Sequence, residues 1–464
     1  MIVLIILIAT ILVLTLAYFR GRYNEYYWKR RGVPFYKKHK LLGPTWMYMS
    51  TKKAFFECYS DVYNEFPDAP AVGLGGLFNP ILYIKDPMNM QHIMQTDFTA
   101  FNHRGVDITE NDKLADNLLM QHGNRWKVTR QHMTPLFTAT RLKSMYYILD
   151  KSARDFVEHL QQDPRRLKGN VFQTLSTFSS AAIAAAVFGI STHSVFDSPF
   201  LKMALDVFAP TLNRNMRFVM LNVSMTLSKK LGMTVFKDQE KFFIGAIKQV
   251  IHEYLAAQGF FYFIAGVEPS ATAMFGTLIE LGRHPEVLEK VLKEVDTVFE
   301  KYKGEITYDA VSEMEYLDKV LSEAMRLHPP VGFNTRLCVR DSVLPVGNIK
   351  VDKGTFIIIP AFDLHHDSKY YPNPEVFNPE RFEGDAKLGD YRYQPFGKGN
   401  RVCIGMRYVR LQMKAGIMHL LRKYKVRATV GDNGQMKYNK LPFQVRPVTL
   451  AGLDFDYKFN RLHI

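Results

Sequence analysis

The chain has 464 residues, 47% of them hydrophobic and 23% charged, and it carries 60 Lys and Arg against 45 Asp and Glu. That is enough apolar sequence for one large core, and it excludes a disordered chain. Cys58, Cys338 and Cys403 are the only cysteines and form no CxxC pair. This excludes a disulfide framework and a structural zinc site, and it suits a reducing compartment.

Residues 1–19, MIVLIILIATILVLTLAYF, are uncharged. At about 1.5 Å of rise per residue they nearly cross a hydrocarbon core. No basic stretch precedes them and no small-residue cleavage site follows, so a retained signal-anchor transmembrane helix fits better than a cleaved signal peptide. From Arg20 to Lys40 eight basic residues stand against one acid, Glu25, a bias that marks the cytoplasmic side. Residues 20–44 read as a basic connector stiffened by Pro34 and Pro44, with Trp28 and its neighbouring tyrosines suited to the membrane interface. No repeat or Gly/Ser linker divides 45–464, which reads as one domain.

Within that domain, apolar spacing of three and four predicts helices near 88–95, 115–138, 142–160, 171–188, 236–282, 284–303, 308–327 and 406–423. Short β-like stretches fall near 71–84, 335–339, 349–360 and 441–458. The expected fold is mostly α, helix-rich with a small β region, plus the N-terminal transmembrane helix.

Cys403 lies in PFGKGNRVCIG, residues 395–405. Gly397, Gly399 and Gly405 predict backbone geometry closed to other residues and a close approach to a flat ligand. The run from Met406 to Tyr424 is helical in pattern, so a helix dipole is expected to favour a thiolate at Cys403. A lone cysteine is most often a small buried hydrophobe. Here Phe396, Gly399, Arg401, Cys403 and Gly405 together read FxxGxRxCxG, which resembles the haem-binding signature of the cytochrome P450 family.

The resemblance runs along nearly the whole chain. Glu323 and Arg326 in SEAMRLHPP match the family's ExxR pair, and FNPERF carries Arg381, the expected third member of a buried charge network. Trp126 and Arg130 in NRWKVTR match its WxxxR helix. The phrases RGVPF and LHHDSKYYPNPEVFNPERF look most like the microsomal clan that includes insect detoxification enzymes. The resemblance implies the cytochrome P450 fold and haem b, iron protoporphyrin IX, with Cys403 as metal ligand. Trp126, Arg130, Arg336 and Arg401 would pair with the haem propionates, for which guanidinium forks are suited. Phe396, Gly399 and Gly405 would shape the loop around the cofactor.

The activity implied is that of a membrane-bound monooxygenase, inserting one oxygen atom from O2 into lipophilic small molecules. Its electrons would come from NADPH through NADPH-cytochrome P450 reductase, with cytochrome b5 as an optional second partner, at the cytoplasmic face of the endoplasmic reticulum membrane. No GxGxxG follows a strand, so the chain has no nucleotide motif of its own. Ten basic residues and no acid lie from Arg392 to Arg427. In an anchored haem protein they read as a face for an acidic reductase and anionic lipid, not for nucleic acid.

Two departures from the family stand out. In FYFIAGVEPSATA, residues Ala265, Gly266 and Glu268 match the oxygen-binding stretch AGx(D/E)T, but Pro269 replaces the threonine. Glu268 and Ser270 flank that gap and are the candidate catalytic proton carriers, together with a water at the Ala265 carbonyl, which the proline ring leaves without an amide donor. The second departure is length. Only 139 positions separate Trp126 from Ala265, short by roughly one or two helices and a loop, and the shortage falls before residue 260. These departures leave open a reductase-independent haem-thiolate isomerase or dehydratase, a haem-binding but silent paralogue, and a truncated gene product. By resemblance, substrate would be lined by 101–118, 201–220, 262–270, 331–335 and 446–453.

Overall fold

The structure is a computed structural model that describes residues 1–49, 53–107, 111–168, 170–196, 198–208, 230–247, 253–384, 390–428, 437–438, 447–448 and 453–457. Residues 248–252, within the single helix expected over 236–282, lie outside the described residues. So do 108–110, 209–220, 446 and 449–452 of the expected substrate-lining segments, and 441–446, 449–452 and 458 of the expected last β stretch.

Helix α1 (Ile2–Lys29) is unbroken and outruns its apolar stretch by ten residues. Its apolar part is exposed, whereas Gly21, Asn24, Glu25, Tyr27 and Trp28 are buried. Residues 20–29 therefore continue the helix instead of opening the connector. Their polar groups find partners in distant chain. Asn24 donates to the carbonyls of Lys40 (2.9 Å) and Gly76 (3.1 Å). Glu25 pairs with Lys29 (2.8 Å) and Lys40 (2.5 Å), whose hydrogen bonds hold its carboxyl down to about 2. Trp28 packs flush on Gly73, where a Cβ would stand 2.2 Å from the indole.

Helices α2 (Thr45–Met49) and α3 (Phe55–Glu65), absent from the periodicity reading, precede the hairpin of β1 (Ala71–Leu74) and β2 (Ile81–Ile84). Helix α4 (Pro87–Gln91) starts at a proline, and Asp86 caps it by accepting from the Met88 and Asn89 amides. Next come α5 (Gly123–Met133), α6 (Ala139–Gln162), α7 (Arg165–Lys168), α8 (Val171–Phe188), α9 (Thr192–Val195) and α10 (Pro199–Phe208). Beyond them lie α11 (Lys237–Ile247), α12 (Glu253–Arg283), α13 (Pro285–Lys301), α14 (Tyr308–Ser312) and α15 (Glu315–Leu327). The helix expected over 308–327 is thus two.

Helix α12, 31 residues long and so about 46 Å from end to end, is the axis of the larger core. It packs against α8, where Gly266 admits Ile183 so closely that a Cβ would meet it at 2.9 Å. Helix α17 (Met406–Lys423) closes the same core, with Gly416 seated on Phe178 of α8.

The principal sheet has the order β1-β2-β6-β3, with β3 (Phe333–Leu337) and β6 (Phe356–Pro360) antiparallel and β2 parallel to β6. Ile357 and Ile359 of β6 face one hydrophobic cluster, and Phe356 and Ile358 face another, as strand alternation requires. Small antiparallel pairs complete the β region: β4 (Ser342–Leu344) with β5 (Ile349–Val351), β7 (Tyr424–Ala428) with β10 (Leu453–Tyr457), and β8 (Lys437–Tyr438) with β9 (Pro447–Val448). Helix α16 (Ala361–His365) follows β6 directly.

Candidate functional site

The loop before α17 is closed by a hydrogen bond from the Cys403 amide to the Phe396 carbonyl (2.9 Å). Gly397 and Gly399 take φ of +69° and +67°, and a Cβ on Gly399 would lie 2.1 Å from the Met94 carbonyl oxygen. Both glycines are therefore required by backbone geometry. Gly405 is different: at φ −89° its backbone suits any residue, which corrects the expectation for that position. A Cβ there would meet only Phe137, at the ordinary contact distance of 3.9 Å, so there is open space on that side of Gly405.

The thiol also departs from expectation. Cys403 is accessible to solvent-sized molecules, yet protein crowds it enough that burial pushes the thiol up. The Gly405 amide and the charges of Arg130 and Arg104 act the other way and are outweighed. Cys403 precedes Gly405, the cap of α17, by two residues, and the dipole effect is confined to the helix's own first turn. A bound metal cation, in contrast, deprotonates a coordinating thiol outright.

Two guanidinium groups act on this sulfur, Arg104 from the loop before α5 and Arg130 on α5, and two more, Arg336 on β3 and Arg401, cluster with them. Burial, then the Arg104 charge, pushes Arg336 down to about 9. Burial, then the charges of Arg104, Arg336 and Arg130, pushes Arg401 down to about 8. Arg104 falls to about 10 and Arg130 is also lowered, each chiefly by burial, with Cys403 acting in the opposite direction. The Nε atoms of Arg104, Arg336 and Arg401 are buried without a hydrogen-bond partner. Among the described residues no carboxylate pairs with any of the four.

Buried cations without counter-ions are costly, and this set fits a flat ligand carrying two carboxylates. The haem propionates are such a pair. The residues present therefore fit haem.

Distant elements hold Arg104, Arg336 and Arg401 in place. The Leu337 amide donates to the His103 carbonyl (2.7 Å) and the Thr335 hydroxyl donates to the Arg104 carbonyl (2.8 Å), stapling 103–104 to β3 beside Arg336. Arg401 lies over the Trp126 ring at 4.5 Å and donates to the Gln121 carbonyl (2.5 Å), so Trp126 supports Arg401 by a cation–π contact. Sequence reasoning missed Arg104, because nothing in FNHRGVD marks it; only the staple to β3 brings it in.

The expected charge network is buried and complete. Arg326 and Glu323 are both fully buried and 2.7 Å apart, with Arg381 Nε 3.3 Å from Glu323. Arg326 also donates to the carbonyls of His365 (2.8 Å) and Pro374 (2.7 Å), and the Asn378 amide reaches Glu323 (2.9 Å).

On α12, residues from Phe263 to Ser270 are buried except Ala265 and Pro269, which with Tyr262 form a half-exposed stripe at spacings of three and four. Tyr262 senses the Arg130 charge, so the stripe runs from the arginine cluster to Pro269. Glu268 and Ser270 flank it, each 1% exposed, and the Ser270 hydroxyl has no hydrogen-bond partner. The basic run from Arg392 to Arg427 is less of a surface than its composition predicts. Arg401 and Lys414 are buried, and Arg410 and Lys414 pair with Asp318.

The sequence profile of the family described as Cytochrome P450 matches residues 34–257 and 245–451. The chain is 29% identical to Cytochrome P450 6B7 of Helicoverpa armigera over 497 aligned residues, covering 94% of this chain and 98% of that one. It is 30% identical to Cytochrome P450 6B4 of Papilio glaucus, covering 96% and 97%. With the probable cytochrome P450 6a20 of Drosophila melanogaster it shares 29% identity, covering 92% and 93%. The first alignment is longer than the chain itself, and the two profile matches overlap at 245–257.

Proposed function

From the premise that this chain belongs to the cytochrome P450 family, and so binds haem and acts as a monooxygenase, we propose that Cys403 is the iron's ligand and that Arg104, Arg130, Arg336 and Arg401 hold the propionates. The observation that carries this reading is the cluster of four guanidinium groups beside Cys403, Arg336 and Arg401 buried and Arg104 and Arg130 partly so, with no carboxylate partner among the described residues. Haem held by a thiolate supplies oxygen activation. The protein's part is to position, to exclude water and to deliver protons. Trp126 fixes the Arg401 plane, while Gly397 and Gly399 let the loop turn. The stripe of Tyr262, Ala265 and Pro269 offers a largely apolar wall to a lipophilic substrate.

Proton delivery is assigned to Glu268 and Ser270, flanking that stripe. Pro269 cannot donate to the Ala265 carbonyl. This freed acceptor and the unpartnered Ser270 hydroxyl, one turn apart, are groups that a water can join.

Electrons are assigned to NADPH-cytochrome P450 reductase, with cytochrome b5 as a second donor. The docking face is reduced to the exposed members of the basic run, such as Arg407 and Lys425. The localisation proposed is the endoplasmic reticulum membrane with the domain on the cytoplasmic side; the apolar half of α1 supports the anchoring and the basic residues behind it support that orientation.

Pro269 favours one second reading, a haem-thiolate isomerase or dehydratase that needs no proton relay. The overlap of the two family matches at 245–257 supports a chain shortened there. The deciding experiment uses the full-length protein loaded with haem. A thiolate-type spectrum of the reduced carbon monoxide complex, followed by NADPH consumption with reductase and a lipophilic substrate, is expected. The spectrum without NADPH consumption would select the second reading, and poor haem incorporation would point to a chain too short to fold.

A further inference from the structure

The membrane-spanning and domain-docked parts of α1 are one helix, and this has a geometric consequence. Residues 2–19 supply about 27 Å of apolar helix at 1.5 Å per residue, close to a full hydrocarbon core. There is little slack, so Arg20 must sit at headgroup level. Its guanidinium is held by the domain: Nε donates to the Gly76 carbonyl (3.1 Å) and Nη2 to the Phe78 carbonyl (2.8 Å). Whatever depth Arg20 takes, the turn between β1 and β2 takes with it. Phe78, at that turn, is 49% exposed, and Tyr23, under the Arg20 guanidinium at 5.2 Å, is exposed too. One turn further on, Asn24 ties the helix to Lys40 and to Gly76, and Trp28 locks it onto Gly73.

We propose that α1 is a rigid strut, not a tether, and that it seats Phe78 in the interfacial layer of the same bilayer as a second membrane contact. The occupant of this surface is lipid. The helix that fixes the surface's depth is itself the apolar span, aromatic rings favour that layer, and Arg22, exposed at the same level of the helix, attracts anionic headgroups. The proposal rests on the membrane-anchor reading and adds to it a depth, a residue and a fixed orientation.

The test uses the full-length, haem-loaded protein in bilayers of mixed phosphatidylcholine and phosphatidylserine. Flotation comes first; a chain that does not float refutes the anchor reading and this proposal with it. Phe78→Trp is then made with Trp46→Phe, which leaves only buried indoles elsewhere. Emission from position 78 is expected to be lost more with lipids brominated on the upper acyl carbons than with aqueous iodide. Arg20→Ala should reverse that order while flotation persists. Floating protein whose position-78 emission is lost mainly to iodide refutes the proposal alone. Shielding from both quenchers refutes it in favour of a protein partner, and unchanged bromolipid quenching in Arg20→Ala refutes the strut.

Discussion

Arg326→Met tests the buried charge network most severely. The substitution nearly keeps side-chain volume and removes five donations: two to Glu323, one each to the His365 and Pro374 carbonyls, and a longer one of 3.4 Å to the Val376 carbonyl. Leaving a buried carboxylate short of its main partner costs about 3–5 kcal/mol. The two carbonyls deprived of short donations, those of His365 and Pro374, add about 1–3 kcal/mol each, the long Val376 bond adding little. The total, roughly 5–11 kcal/mol, is comparable to the whole stability of a typical domain at about 5–15 kcal/mol. Arg381→Ala is the internal control, because Arg381 is at the network's edge with one 3.3 Å contact to Glu323, and its loss should cost about 1–2 kcal/mol. Urea unfolding followed by tryptophan emission, with haem content measured in parallel, should rank Arg326→Met far below Arg381→Ala. Adding Glu323→Leu to Arg326→Met should recover part of the loss, since no lone carboxylate is then left buried. If Arg326→Met lies within about 1 kcal/mol of Arg381→Ala, or the double variant is worse than the single, the network does not hold the fold as described.

Cys403→Ser should abolish the thiolate-type carbon monoxide spectrum while Cys58→Ser and Cys338→Ser retain it, since burial pushes those two thiols up to about 12 and about 11; any other pattern refutes the ligand assignment. His365 accepts the Gln394 amide on Nε2 (2.8 Å) and lies 3.2 Å from the Arg326 carbonyl through Nδ1, so only the neutral ring fits and burial lowers its pKa well below the ordinary value. Stability from the neutral ring is complete above the unfolded value of about 6.5 and falls by about 1.4 kcal/mol per pH unit below it; urea midpoints at pH 7.5 and 5 should drop less in His365→Gln than in wild type, and equal drops would contradict this. Pro269→Thr should raise product formed per NADPH consumed and Ser270→Ala should lower it; a wild type already fully coupled, with Ser270→Ala unchanged, would remove both from proton delivery.

The sequence was most legible where one short stretch carries the whole cause. Val171–Phe188 and Met406–Lys423 fall where apolar spacing put them. The Glu323–Arg326 pair was readable because one helical turn sets its spacing. What stayed hidden depends on partners far along the chain. Residues 20–29 look like a polar connector until Asn24 is seen bonding Lys40 and Gly76. Arg104 has no local signature and enters the site only because Thr335 holds its carbonyl. The burial of Cys403 stayed hidden for a related reason: a dipole can be inferred from a helix start, whereas desolvation by surrounding elements, which pushes the thiol up, cannot.

The clamp at the base of α1 falls on residues 20, 24 and 28, a spacing of four that keeps all three on one side of the helix. Span and clamp therefore differ in what they tolerate. Upstream of Arg20 the helix is apolar all round, so a foreign span of equal length could be grafted there in any rotational phase. Between Arg20 and Trp28, one added residue turns everything before it by about 100° and lifts it about 1.5 Å, taking Arg20 away from Gly76 and Phe78. Exchange of anchors between such proteins should succeed when the junction precedes Arg20 and fail when it falls within the next eight residues.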